Sequence, residues 1–124
     1  MPGVPKFILR RLYVKGSLQN TPTGWRFTIK NTLGSGHAHG LVPLRVDETE
    51  EIPMARTTFD NDGVTTSFDQ VNKENTLGLE MNRSIVISVD GEQLTRGAHL
   101  IEFGCVVPGL GQIGFDITDE VDGA

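Results

Sequence analysis

Alternation with a period of two constrains this chain more than any other feature of its sequence. Trp25, Phe27 and Ile29 alternate with Arg26, Thr28 and Lys30; Ile85, Ile87 and Val89 with Val86, Ser88 and Asp90; Ile113, Phe115 and Ile117 with Gly114, Asp116 and Thr118. Successive side chains of a pleated strand point to opposite faces, so each run presents one apolar face to a core. Further strands are expected over residues 7–18, 41–47, 52–59 and 99–107. Turn residues separate them at Thr21-Pro22-Thr23-Gly24, Asn61-Asp62-Gly63, Asp90-Gly91 and Pro108-Gly109.

The 15 Gly and 6 Pro are spread along 124 residues and not gathered into a linker. A chain of this length buries roughly two-thirds of its unfolded surface and holds one core, so residues 1–124 are expected to form a single domain. About seven to eight strands in that length point to an all-β fold, a single antiparallel β-sandwich. One helical turn is expected within residues 66–73, where Ser67 is suited to cap it and Asn72, Asn75 and Gly78 stop it.

Charge and cysteine content exclude several function classes. The net charge of −5 disfavours nucleic acid, which requires clustered cations with few competing carboxylates. Lys6, Arg10, Arg11 and Lys15 do cluster, but among Phe7, Ile8, Leu9, Leu12, Tyr13 and Val14, as on a solvated strand. The single cysteine, Cys105, offers no internal disulfide. No apolar stretch approaches about 18 residues and the first residues lack the pattern of a signal peptide, so no membrane association and a cytoplasmic location are expected.

The most chemically suggestive segment is Gly34-Ser35-Gly36-His37-Ala38-His39-Gly40. Two histidines at i and i+2 on a strand point the same way and can share a metal. The pair resembles the His-x-His of cupins, yet Pro43 and Leu44 stand where a cupin needs its glutamate, and Asp47 and Glu48 come too late. No metal is therefore expected on this chain. The glycines do not complete a phosphate cradle either, because His39 occupies the third glycine position of a G-x-G-x-x-G pattern. Cys105 with His99 as base is a conceivable nucleophile, but an apolar strand at residues 103–107 favours an inert packed thiol. No self-sufficient active site is expected.

Surfaces carry more information. Residues 31–44 and 103–115 bear no formal charge when the histidines are neutral, and the second segment contains Cys105, Val106, Val107, Leu110 and Ile113. Uncharged apolar segments left exposed promote association. Read as a strand, the N-terminal segment adds Ile8, Leu12 and Val14 on one face and Phe7, Leu9 and Tyr13 on the other, more than one core layer can cover.

The run Phe7-Ile8-Leu9-Arg10-Arg11-Leu12-Tyr13-Val14-Lys15-Gly16-Ser17-Leu18, then Gly24-Trp25-Arg26-Phe27, Ser88-Val89-Asp90-Gly91-Glu92, Gly97-Ala98-His99 and Gly114-Phe115-Asp116-Ile117-Thr118-Asp119-Glu120-Val121 resembles a known family. It is similar to the small β subunit of bacterial C-glycoside deglycosidases, whose members are often mislabelled as hydroxymethylglutaryl-CoA reductase. The resemblance implies a β-sandwich paired with a larger TIM-barrel α subunit in a hetero-oligomer of αβ units. The α subunit would carry the acid/base residues and a divalent metal, usually manganese. Such complexes cleave the carbon–carbon bond between a 3-oxo sugar and its aglycone. A base removes the proton at C2, made acidic by the ketone, and the protonated aromatic ring leaves; the metal stabilises the enolate.

In that setting this chain supplies no catalytic residue. Leu41, Val42, Val107, Leu110 and Ile113 are expected at the partner interface, and the loop of residues 34–40, with His37 and His39, is expected near the substrate at the mouth of the partner's active site. Two other classes compete. A stand-alone carbohydrate-binding module would stack a sugar on Trp25 or Tyr13, although Trp25 falls on the apolar side of its strand; a single-chain cupin-like metalloenzyme requires the missing carboxylate.

Overall fold

Ten antiparallel strands make up most of the computed structural model, which describes residues 4–122. They are β1 (Gln19–Thr21), β2 (Gly24–Lys30), β3 (Gly36–Ala38), β4 (Gly40–Val46), β5 (Thr57–Asn61), β6 (Val64–Ser67), β7 (Leu77–Leu79), β8 (Ser84–Asp90), β9 (Gly97–Val107) and β10 (Gly111–Val121). A five-stranded sheet has the order β1-β2-β8-β5-β6, a three-stranded sheet the order β10-β9-β4, and β3 pairs with β7 as a small ribbon. The fold is all-β, with more strands than the turn count predicted because β1, β3 and β7 are three-residue pieces.

The alternation places the core as expected. In the five-stranded sheet Trp25 pairs with Val89, Phe27 with Ile87 and Ile29 with Ile85, and all six are buried. From the three-stranded sheet Leu41, Leu44, Ile101, Phe115 and Ile117 join the same buried cluster, so the two sheets share one core. Asp62 and Gly63, both at positive φ, form a two-residue turn between Asn61 and Val64, as Asp-Gly hairpins require. Gly24 is fixed for a different reason: a Cβ there would lie 1.8 Å from the carbonyl oxygen of Val89.

Three expected elements are corrected. Residues 7–18 do not form a strand. Pro5 opens a helical turn, α1 (Lys6–Leu9), which runs on into a 3-10 turn at Arg10–Leu12, and only Tyr13 makes a bridge, to Ile29. Helical winding buries Leu9 and half-buries Ile8 and Leu12, while Phe7 goes to solvent; no second core layer is needed. Residues 52–59 break at Pro53, which leads into a 3-10 turn at Met54–Arg56, and the strand starts at Thr57. The helix within residues 66–73 contracts to the 3-10 turn Phe68–Gln70, entered at Ser67, whose N–H donates to Gln70 Oε1 at 3.3 Å.

The N-terminal segment is strapped along the outer edge of β10. Arg10 Nε donates to the carbonyl of Asp116 at 2.8 Å and its guanidinium also pairs with the Asp116 carboxylate. Tyr13 Oη donates to Asp119 Oδ2 at 2.6 Å, and the Gly16 N–H donates to the same oxygen at 2.7 Å. These contacts cover an eleven-residue edge strand that would otherwise expose unpaired backbone groups.

Candidate functional site

An apolar groove of about 250 Å3 opens where the N-terminal segment, the β3–β7 ribbon and one end of the three-stranded sheet meet. Strand register explains it. The inner face of β9 carries Ile101, Phe103, Cys105 and Val107, opposite Ile117, Phe115, Ile113 and Gly111 of β10. Ile101, Phe115 and Ile117 are buried in the shared core, whereas Phe103, Cys105, Val107 and Ile113 are half-buried and line the groove. Leu9 and Leu12 close it from the N-terminal side, and Leu33 and Leu110 stand exposed at its rim.

One buried side chain builds the glycine-rich loop beside this groove. Asn31 Nδ2 donates to the carbonyls of Gly34 at 2.7 Å and Leu79 at 2.9 Å, while its Oδ1 accepts from the N–H groups of Leu33 and Gly34. Ser35 Oγ accepts from the Met81 N–H at 2.9 Å. A buried polar side chain with every group satisfied imposes one geometry, so the glycines of residues 34–40 belong to a positioned loop. Nothing in the local sequence marked Asn31 for this role.

His37 is exposed on β3, opposite Gly78, at the lip of the groove. His39 is half-buried, and its N–H ties the ribbon to β9 by donating to the Val106 carbonyl at 2.9 Å. Among the described residues no group of three or more His, Cys, Asp or Glu side chains is placed to hold a metal ion.

The five expected interface residues divide. Val107, Leu110 and Ile113 line the groove, Leu110 with 39% of its surface exposed. Leu41 packs in the core and offers almost no surface, and Val42 lies on the opposite, outer face of the three-stranded sheet, against Gly104. A sugar platform on Trp25 is excluded, because that ring is only 3% exposed and stacks on Phe27.

Cys105 and His99 do not meet. Both lie on β9, six residues apart, about 20 Å along an extended strand. Burial pushes the Cys105 thiol up to about 11, which leaves it protonated and unreactive. His99 has other partners: Nδ1 lies 2.7 Å from Asp47 Oδ2 and Nε2 lies 2.7 Å from the Thr95 carbonyl oxygen. Asp47 holds the positive φ of a tight turn after β4 and also accepts the Leu100 N–H at 2.8 Å, so the pair locks that turn to β9.

No helix among the described residues is long and apolar enough to cross a membrane. No curated protein sequence matches the chain. The family model described as hydroxymethylglutaryl-CoA reductase, N-terminal domain, matches residues 8–122, a span that includes both sheets, the groove and the strap along β10. The chain therefore belongs to the hydroxymethylglutaryl-CoA reductase N-terminal domain family.

Proposed function

We propose that this chain is the β subunit of a heteromeric C-glycoside deglycosidase, an accessory subunit of a lyase that eliminates the aglycone from 3-oxo-C-glycosides. The apolar groove carries the reading. It joins the two uncharged segments, residues 31–44 and 103–115, into one surface flanked by exposed Leu33 and Leu110, the composition of a surface covered by another chain. A larger TIM-barrel α subunit is the proposed partner, holding the catalytic groups and a divalent metal, manganese.

The work of this chain is then to bind the partner and shape the entrance to its active site. His37, exposed on a ribbon that Asn31 fixes in place, is suited to contact a hydroxylated aglycone.

Leu110→Asp tests the groove. The side chain lies on a turn and is exposed, so the fold tolerates the change, but a lone carboxylate buried against a partner costs several kcal/mol. The variant is expected to lose its co-purifying α subunit. Recovery of the complex at wild-type yield would remove the groove as the docking surface.

A further inference from the structure

The outer face of the three-stranded sheet carries a second, larger cleft of about 430 Å3. Its floor is built into the backbone. Gly104 of β9 and Gly114 of β10 are register partners, so two side chains are missing side by side. A Cβ on Gly114 would lie 2.5 Å from the Phe103 carbonyl oxygen, and one on Gly104 would lie 3.1 Å from Val42 Cγ2. The neighbouring strand contributes a bulge: Val42 opposes Gly104 and Arg45 opposes Glu102, leaving Pro43 and Leu44 across from Phe103 alone. Leu44 is fully buried while Arg45 stays on the outer face above the glycines. Bulges of this kind re-aim side chains, and they concentrate at functional sites.

Polar groups of both signs ring the floor. Arg45 Nη1 donates to the Thr49 carbonyl at 3.1 Å, while its Nε lies 3.8 Å from Glu102 and its Nη2 3.7 Å from Glu51, beyond hydrogen-bonding distance, so Nε, Nη2 and both carboxylates retain unused capacity. Gln112 adds a donor and an acceptor, and Lys6 a further cation. Asp116 closes the rim, its carboxyl held below the usual carboxylate range by the hydrogen bond from Arg10.

We infer that this cleft binds a neutral polyhydroxylated ring, a sugar of pyranose size. Each hydroxyl of such a ring both donates and accepts, and adjacent hydroxyls match the alternating donors and acceptors of Arg45, Glu102, Gln112 and Glu51. The ring's C–H face would lie on the glycine floor. Two cations against three carboxylates give no net positive field, which disfavours phosphorylated or sulfated ligands, and the charged walls disfavour apolar ones.

Titration of the isotopically labelled full chain with methyl β-D-glucopyranoside, followed by amide NMR, tests it. Saturable shifts are expected at Gly104, Gln112 and Gly114, and Glu102→Gln, at an exposed position, should weaken binding roughly tenfold or more, the loss of a charge-assisted hydrogen bond. Gln112→Ala should weaken it as well. Three results would overturn the inference: no saturable shift with the methyl glucoside, D-xylose or methyl α-D-mannopyranoside; unchanged affinity in both variants; or tighter binding of glucose 6-phosphate, which would make the cleft an anion site.

Discussion

The His99 imidazole lies with Nδ1 2.7 Å from Asp47 Oδ2, and its other nitrogen faces the Thr95 carbonyl at the same distance. A carbonyl oxygen only accepts, and so does a carboxylate, so both contacts are satisfied together only when the ring carries two protons. Burial pushes the imidazole pKa down, but the hydrogen bonds to Asp47 and Thr95 and the Asp47 charge outweigh it, and the pKa is raised. The Leu100 N–H, and then His99, hold the Asp47 carboxyl below its ordinary value.

The pair gives stability a pH window. His99 contributes fully below its ordinary pKa of 6.5, and the contribution is lost as pH rises through the higher folded value. Asp47 contributes above its ordinary 3.8 and loses that contribution as pH falls through its lowered folded value. Urea midpoints of the wild type and His99→Asn, compared from about pH 5 to pH 9, should differ most at the acid end and converge in alkali. A difference constant across that range would contradict the doubly protonated ring.

Removing the Tyr13 hydroxyl should loosen the strap over β10. Tyr13→Phe keeps the ring beside Phe27 and deletes the hydrogen bond to Asp119, which retains the Gly16 N–H. A hydrogen bond to a charged acceptor contributes about 1.5–3 kcal/mol, and partial exposure places this one near the lower figure. Denaturant unfolding should show that loss, and hydrogen exchange should quicken at the β10 amides that face the strap. Wild-type stability would mean that the strap is held without the Tyr13 hydroxyl, by Leu9, Arg10 and the Gly16 N–H.

In the proposed role His37 contacts the substrate without taking part in the chemistry. In the assembled complex His37→Ala should raise KM with kcat little changed, the signature of lost uniform binding. The exposed side chain makes the substitution neutral for folding. A fall in kcat of several orders of magnitude would place catalytic machinery on this chain.

The sequence announced the core more clearly than the site. Trp25, Phe27 and Ile29 could be assigned to one face because a half-buried strand writes its geometry into every second residue. The N-terminal segment misled because its apolar residues fill consecutive positions, which fit neither period cleanly. The helical signal was the i, i+4 spacing of Ile8 and Leu12 behind Pro5, both half-buried beside the core. Asn31, the Asp47–His99 pair and the Gly104–Gly114 floor are meetings of residues brought together by register and by turns at positive φ. Their partners lie up to 52 positions away, and no local pattern records them.

Co-expression with a TIM-barrel α subunit, followed by a lyase assay on a 3-oxo-C-glycoside, tests the central reading most directly. The expected result is a stable complex that releases the free aglycone, with each chain inactive by itself and activity restored on mixing in proportion to complex formed. Aglycone release by this chain alone, or an α subunit that is fully active and does not bind it, would contradict the proposed role.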